Sequence, residues 1–214
     1  MLRRFFSYDN PVWRAINRLG QIWLLDLLWL VTSLPLITIG ASTTALIYAC
    51  MKLREDDGYT VRNYFKSFKE NFVQSTIIWL IYAAVGGLLA WALIFWNQTD
   101  SSSLKIPWAV VIALFIPYVM GLLYVFACQA KFVNRVVDTI HYSIILSVKH
   151  FKYTFQMLLM TAFLVYVNVA TIAWANYITA FMGVGLVVYL FSIYYAQIFK
   201  RYVHEEDPDA EEEE

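Results

Sequence analysis

Residues 19–51 read LGQIWLLDLLWLVTSLPLITIGASTTALIYACM, with a single acid, Asp26, and no Lys, Arg or His. A helix needs about 20 mostly apolar residues to cross a ~30 Å hydrocarbon core. The run is too long for one crossing, and Pro35 and Gly40 divide it into a span near 19–37 and a shorter one at 40–51. Four more stretches of this kind follow, at 73–96, 107–129, 154–174 and 178–198. The expected fold class is therefore all-α: a polytopic membrane helix bundle of six transmembrane helices, joined on one side by amphipathic connecting helices.

Composition agrees. Of 214 residues, 60% are hydrophobic, 18% aromatic and only 15% charged, and mean hydropathy is +0.56. A soluble domain is closer to a quarter charged, and a soluble core of this length could not hide so much apolar surface. The formal net charge of zero is a cancellation, because 8 of the 16 acids lie in 205–214 (EEDPDAEEEE) and leave +8 on the rest. Residues 1–204 thus read as one integral membrane domain, and 205–214 as an acidic, disordered, solvated tail.

The basic residues set the orientation. With six spans, fifteen of the sixteen Lys and Arg residues fall on one side and only Lys105 on the other. The positive-inside rule then puts both termini in the cytoplasm. The outer loops are short, around Thr38–Ala41, 97–106 and Asn176, with Trp96, Trp108 and Trp174 at their edges. No outer segment has room for a folded domain.

The cytoplasmic connections are patterned. After Thr60, read as an N-cap, Val61, Tyr64, Phe65, Phe68 and Phe72 recur at helical spacing. In 131–152, Val133, Val136, Val137, Ile140, Ile144, Ile145 and Val148 do the same. Both read as amphipathic helices on the inner leaflet. Their cations Arg62, Lys66, Lys69, Arg135 and Lys149 offer a cytoplasmic surface for a partner. Ala49-Cys50-Met51-Lys52 parallels 127–131 (ACQAK), and Ser67-Phe68-Lys69 parallels Ser147-Val148-Lys149, so a repeated unit of span, surface helix and span is a second expectation.

Asp26 is the one ionisable group deep in a span, and such a carboxylate should face protein or water rather than lipid. With Ser33, Ser42, Thr43 and Thr44 it forms the candidate intramembrane polar site. One reading is a proton or cation site in the broken segment Pro35–Gly40. The other is interhelical hydrogen bonding, from Asp26 to Ser42, Thr43, Thr44 or Tyr48. Gly86, Gly87 and Ala90 suit close helix packing. Tyr166, Asn168 and Thr171 are polar positions of the fifth span, and Cys50 and Cys128 read as free, packed thiols. Asp138 and His141 lie one turn apart with no third ligand in sight, so no metal is expected. No phosphate loop, HExxH or nucleophile elbow occurs, so no catalytic residue, no cofactor and no nucleic-acid partner are expected, and the chain reads as a non-enzyme.

Residues 10–53 (NPVWRAINRLGQIWLLDLLWLVTSLPLITIGASTTALIYACMKL), then EDDGY and NYFKSFKENFVQSTIIWLI, resemble the YesL-like family of bacterial polytopic membrane proteins of unknown function. The resemblance implies a bacterial cell-membrane location. Members are often encoded beside carbohydrate-uptake ABC transporter components, which implies partnership with the permease subunits of a sugar importer. It carries over no catalytic residue, and relatives can hold an amide at the position of Asp26. Two functions follow as expectations: an accessory subunit aiding assembly or regulation of an oligosaccharide ABC importer, or a self-contained small transporter or channel using Asp26 and Pro35–Gly40. Oligomeric state is not legible.

Overall fold

The computed structural model describes the backbone of residues 11–97, 105–132, 134–170 and 173–206, with side chains omitted at 97–108, 168–182 and near the ends. Seven α-helices and no strand occur among the described residues. They are α1 (Pro11–Thr32), α2 (Ile39–Arg54), α3 (Thr60–Asn97), α4 (Lys105–Lys131), α5 (Val136–Lys149), α6 (Phe151–Ala170) and α7 (Ala173–Glu206). A short 3-10 turn at Leu36–Thr38 joins α1 to α2. α7 runs to Glu206, so the first two residues of the expected tail are helical, and the remainder lies outside the described residues.

Among the described residues, four stretches are long and apolar enough to cross a membrane: Leu36–Arg54, Thr60–Trp96, Ala109–Lys131 and Gly183–Lys200. Phe151–Val167 is a shorter apolar helix. The described parts of the expected stretches are helical except at the break after Thr32, and their partition differs. The amphipathic segment after Thr60 and the third span form one continuous helix of 38 residues, about 57 Å long at 1.5 Å per residue. Gly40 and Ala41, expected in an outer loop, are buried inside α2.

α2 packs antiparallel on the first half of α3. A Cβ on Gly40 would overlap the Ser75 carbonyl oxygen, so the two backbones approach as only glycine allows. Beside it Thr44 Oγ1 lies 2.9 Å from Ser75 Oγ. The turn is held there too, because Trp79 Nε1 donates to the Leu36 carbonyl at 2.9 Å. Leu36 thus meets α3 at mid-length, about 25 Å short of Trp96 along the helix. Leu34, Leu36 and Ile37 point outward from the turn with no protein cover.

α3 and α4 are antiparallel, with Tyr118 donating to the Tyr82 carbonyl at 3.0 Å and fitting against Gly86. Gly87 and Ala90 make no such approach: nothing lies near Gly87, and Ala90 is exposed. One core cluster joins α1, α2 and the start of α3 through Leu25, Leu46, Cys50 and Tyr64. A second joins α4 to α7 and α6 through Tyr124, Phe126, Met157, Tyr195 and Phe199. The large buried tyrosines satisfy their hydroxyls. Tyr124 meets Thr154 at 3.0 Å, Tyr64 meets Thr32 at 2.6 Å and Tyr195 donates to the Leu123 carbonyl.

In both amphipathic segments small hydroxyl residues turn inward beside part of the apolar stripe, and the rest of the stripe faces outward with the charges. In α5 the buried residues are Thr139, Ser143, Leu146 and Ser147, while Val137, Ile144, Ile145 and Val148 are exposed. At the start of α3, Thr60, Asn63, Tyr64 and Ser67 are buried, and Val61, Phe65 and Phe72 are exposed. Small hydroxyl residues permit close approach to the neighbouring helix and return their protons to their own helix, as Ser143 does to the Ile140 carbonyl (2.7 Å). Thr60 is not a cap: its hydroxyl donates to Gln21 Oε1 at 3.2 Å.

Candidate functional site

Asp26 lies on α1 and is 2% exposed. Its Oδ1 accepts a hydrogen bond from the Gly185 backbone N–H of α7 at 3.0 Å. Oδ2 is buried and has no hydrogen-bond partner. The approach is close at Gly185, where a Cβ would stand 3.2 Å from Asp26 Cβ and Cγ and 3.1 Å from the Ile22 carbonyl oxygen.

Three of the four expected hydroxyl partners of Asp26, Ser42, Thr43 and Thr44, are engaged elsewhere. Ser42 donates to the Thr38 carbonyl at 3.0 Å, and Thr43 accepts from Trp29 Nε1 at 3.2 Å. Thr44 donates to the Gly40 carbonyl at 2.9 Å and pairs with Ser75. Ser33 Oγ is buried without a partner, as is Thr76 Oγ1. Of the five residues grouped from the sequence, Ser42, Thr43 and Thr44 seam the α1–α2–α3 contacts, and Asp26 ties α1 to α7. The carboxylate has a single donor where two or three are usual for a buried charge.

A second polar cluster escaped sequence reasoning. Gln129 on α4 is 3% exposed, and its amide donates to Asn71 Oδ1 at 3.1 Å and Gln74 Oε1 at 2.7 Å on α3. Thr139 of α5 lies 3.4 Å from Gln129 Oε1. The signal was there: three amides, Asn71, Gln74 and Gln129, at the ends of apolar runs. Their pairing needed the α3–α4 register.

Arg62, Lys66, Lys69, Arg135 and Lys149 are all exposed. Arg62 sits over the Tyr59 ring at 5.8 Å and Lys149 over the Tyr202 ring at 4.9 Å. Arg18 donates to Asp56 at 2.6 Å, and that hydrogen bond raises the guanidinium pKa further. Cys50 and Cys128 are free and buried. Asp138 and His141 are both exposed, and Tyr166 faces outward. The side chains of Asn168 and Thr171 lie outside the described residues.

An all-helical chain with several helices fit to span a bilayer, buried polar seams and apolar outer faces is of the polytopic membrane class. Residues 22–93 match the family described as "Protein of unknown function, DUF624", which is the YesL-like bacterial membrane family that the sequence resembles. No curated protein and no solved structure matches the chain.

Proposed function

We propose that the chain is a non-enzymatic subunit of the bacterial cell membrane, with both termini cytoplasmic. In this reading it binds the permease subunits of a carbohydrate ABC importer and aids their assembly or regulation. The observation that carries the reading is the apolar surface left outward on α5 and the start of α3. Val61, Phe65, Val137, Ile144, Ile145 and Val148 stay exposed beside the exposed cations Arg62, Lys66, Arg135 and Lys149, a surface suited to acyl chains or a partner's helices. The link to sugar import comes from the family resemblance. The matching burial of Cys50 with Cys128 and of Ser67 with Ser147 supports a duplicated unit.

The test is purification from native membranes in gentle detergent, with mass spectrometry of what co-elutes. Stoichiometric importer permeases, and slower oligosaccharide uptake on deletion, are expected. Unchanged uptake with no co-eluting permease overturns the reading.

One observation favours a second reading, a small transporter: the unpartnered Oδ2 of Asp26. Its test is flux through protein-loaded liposomes, which Asp26→Asn should abolish or free of pH dependence. A protein inert toward sugars and cations removes it.

A further inference from the structure

A cleft of about 410 Å³ opens where α2, α4 and α7 come together. Its size lies within the ~300–1,000 Å³ of small-molecule sites. Four cations line it, Lys52, Arg54, Lys131 and Lys200, against one carboxylate, Glu55. Lys52 neutralises Glu55 at 2.7 Å, and Arg54 is fixed by donating to the Ser192 carbonyl at 2.8 Å. Lys131 and Lys200 are exposed, and neither meets an acid among the described residues. The floor is apolar, with Met51 and Phe199 buried beneath the cations. Basic residues at helix C-termini complement the macrodipole, which accounts for Lys52, Arg54 and Lys131 in their last turns. It accounts neither for Lys200, a turn and a half before the end of α7, nor for the open apolar floor.

The position of the cleft selects the ligand. Leu36–Arg54, Ala109–Lys131 and Gly183–Lys200 are candidate spans, and all three end at the cleft. Its cations therefore stand where hydrocarbon gives way to headgroups, the layer of lipid phosphates, and lysines there favour anionic lipid. We infer that the cleft binds the phosphate headgroup of an anionic phospholipid, held by Lys131 and Lys200, with its acyl chains along the half-buried Tyr48 and Ala196 that also line it. The shared chemistry is a phosphate oxyanion; the apolar floor argues for the lipid over a soluble phosphate ester. The inference rests on the membrane reading above but on neither the importer nor the orientation.

The experiment is native mass spectrometry of the full chain in detergent, titrated with phosphatidylglycerol, phosphatidylcholine or glycerol 3-phosphate. Phosphatidylglycerol should bind in preference. Lys131→Gln with Lys200→Gln should lower its affinity roughly fivefold per lysine, whereas the Lys131→Arg/Lys200→Arg pair should retain it. Equal binding of the two lipids, or full binding by the Gln pair, overturns the inference. Displacement of phosphatidylglycerol by equimolar glycerol 3-phosphate overturns it as well and assigns the cleft to soluble phosphate esters. A chain that stays monodisperse without detergent fails the membrane reading instead, so the two failures are distinct.

Discussion

The carboxylate of Asp26 and the backbone of Gly185 close the bundle: Oδ1 accepts the Gly185 N–H at 3.0 Å, tying the first helix to the last across 159 positions. Two sequence-distant helices come close there at a residue without a side chain. Gly185→Val therefore tests the contact. Its added carbons enter space bounded by Asp26 and the rigid Ile22 carbonyl, and overpacking of this kind costs about 1–3 kcal/mol. A lower melting temperature in detergent is expected for Val. Ala should lose less, because its better helix propensity offsets about 1 kcal/mol.

Asp26 itself separates structure from transport. In Asp26→Asn the amide oxygen keeps the Gly185 bond, and a neutral NH2 takes the place of the unpartnered Oδ2. Stability should hold or rise, and importer-linked uptake should be unchanged. Asp26→Ala leaves the approach without its acceptor and should cost about 1–3 kcal/mol. Thermal melts of the two variants beside the parent decide the matter. Losses of equal size in Asn and Ala would show that the charge, and not the hydrogen bond, matters.

The α2–α3 seam should be the least forgiving place in the bundle. Gly40→Ala puts a carbon into the Ser75 carbonyl oxygen and against Trp79 Cβ, and neither atom is the free end of a flexible chain. The expected outcome is loss of monodisperse protein on size exclusion. Thr44→Val, which removes only the Ser75 and Gly40 hydrogen bonds, should cost about 1 kcal/mol and leave the elution profile intact.

These cases show what was legible. Apolar runs and the Pro35–Gly40 break located the helices, since hydrophobic length is a property of the chain alone. The facing of the helices was not. A stripe such as Val137, Ile144 and Val148 is apolar whether it meets protein or lipid, so periodicity alone cannot say that Thr139, Ser143 and Ser147 turn inward. Asp26 stood out as an isolated charge, but its partner is a backbone N–H on a glycine, which leaves no polar residue to find. The Gln129 cluster was hidden likewise, because Asn71 and Gln74 are 58 and 55 positions away.

Cysteine labelling tests how the chain sits in the bilayer. Cys50 and Cys128 are buried, so the parent should show little reaction with an impermeant maleimide until denatured, and single added cysteines can be read against it. Ser102→Cys should label in intact cells and Lys66→Cys only after the membrane is opened, as the basic residues require. Leu36→Cys is the informative one. Leu36 is 74% exposed yet sits against Trp79 at the middle of α3, and leaving Leu34, Leu36 and Ile37 in water would forgo about 1.5–3 kcal/mol for each. It should therefore resist the reagent from both sides. Labelling as fast as Ser102→Cys would instead put the turn in outer water and make α1 and α2 full crossings. The sidedness of Lys66 survives either result, because a pair of helices returns the chain to the side from which it entered.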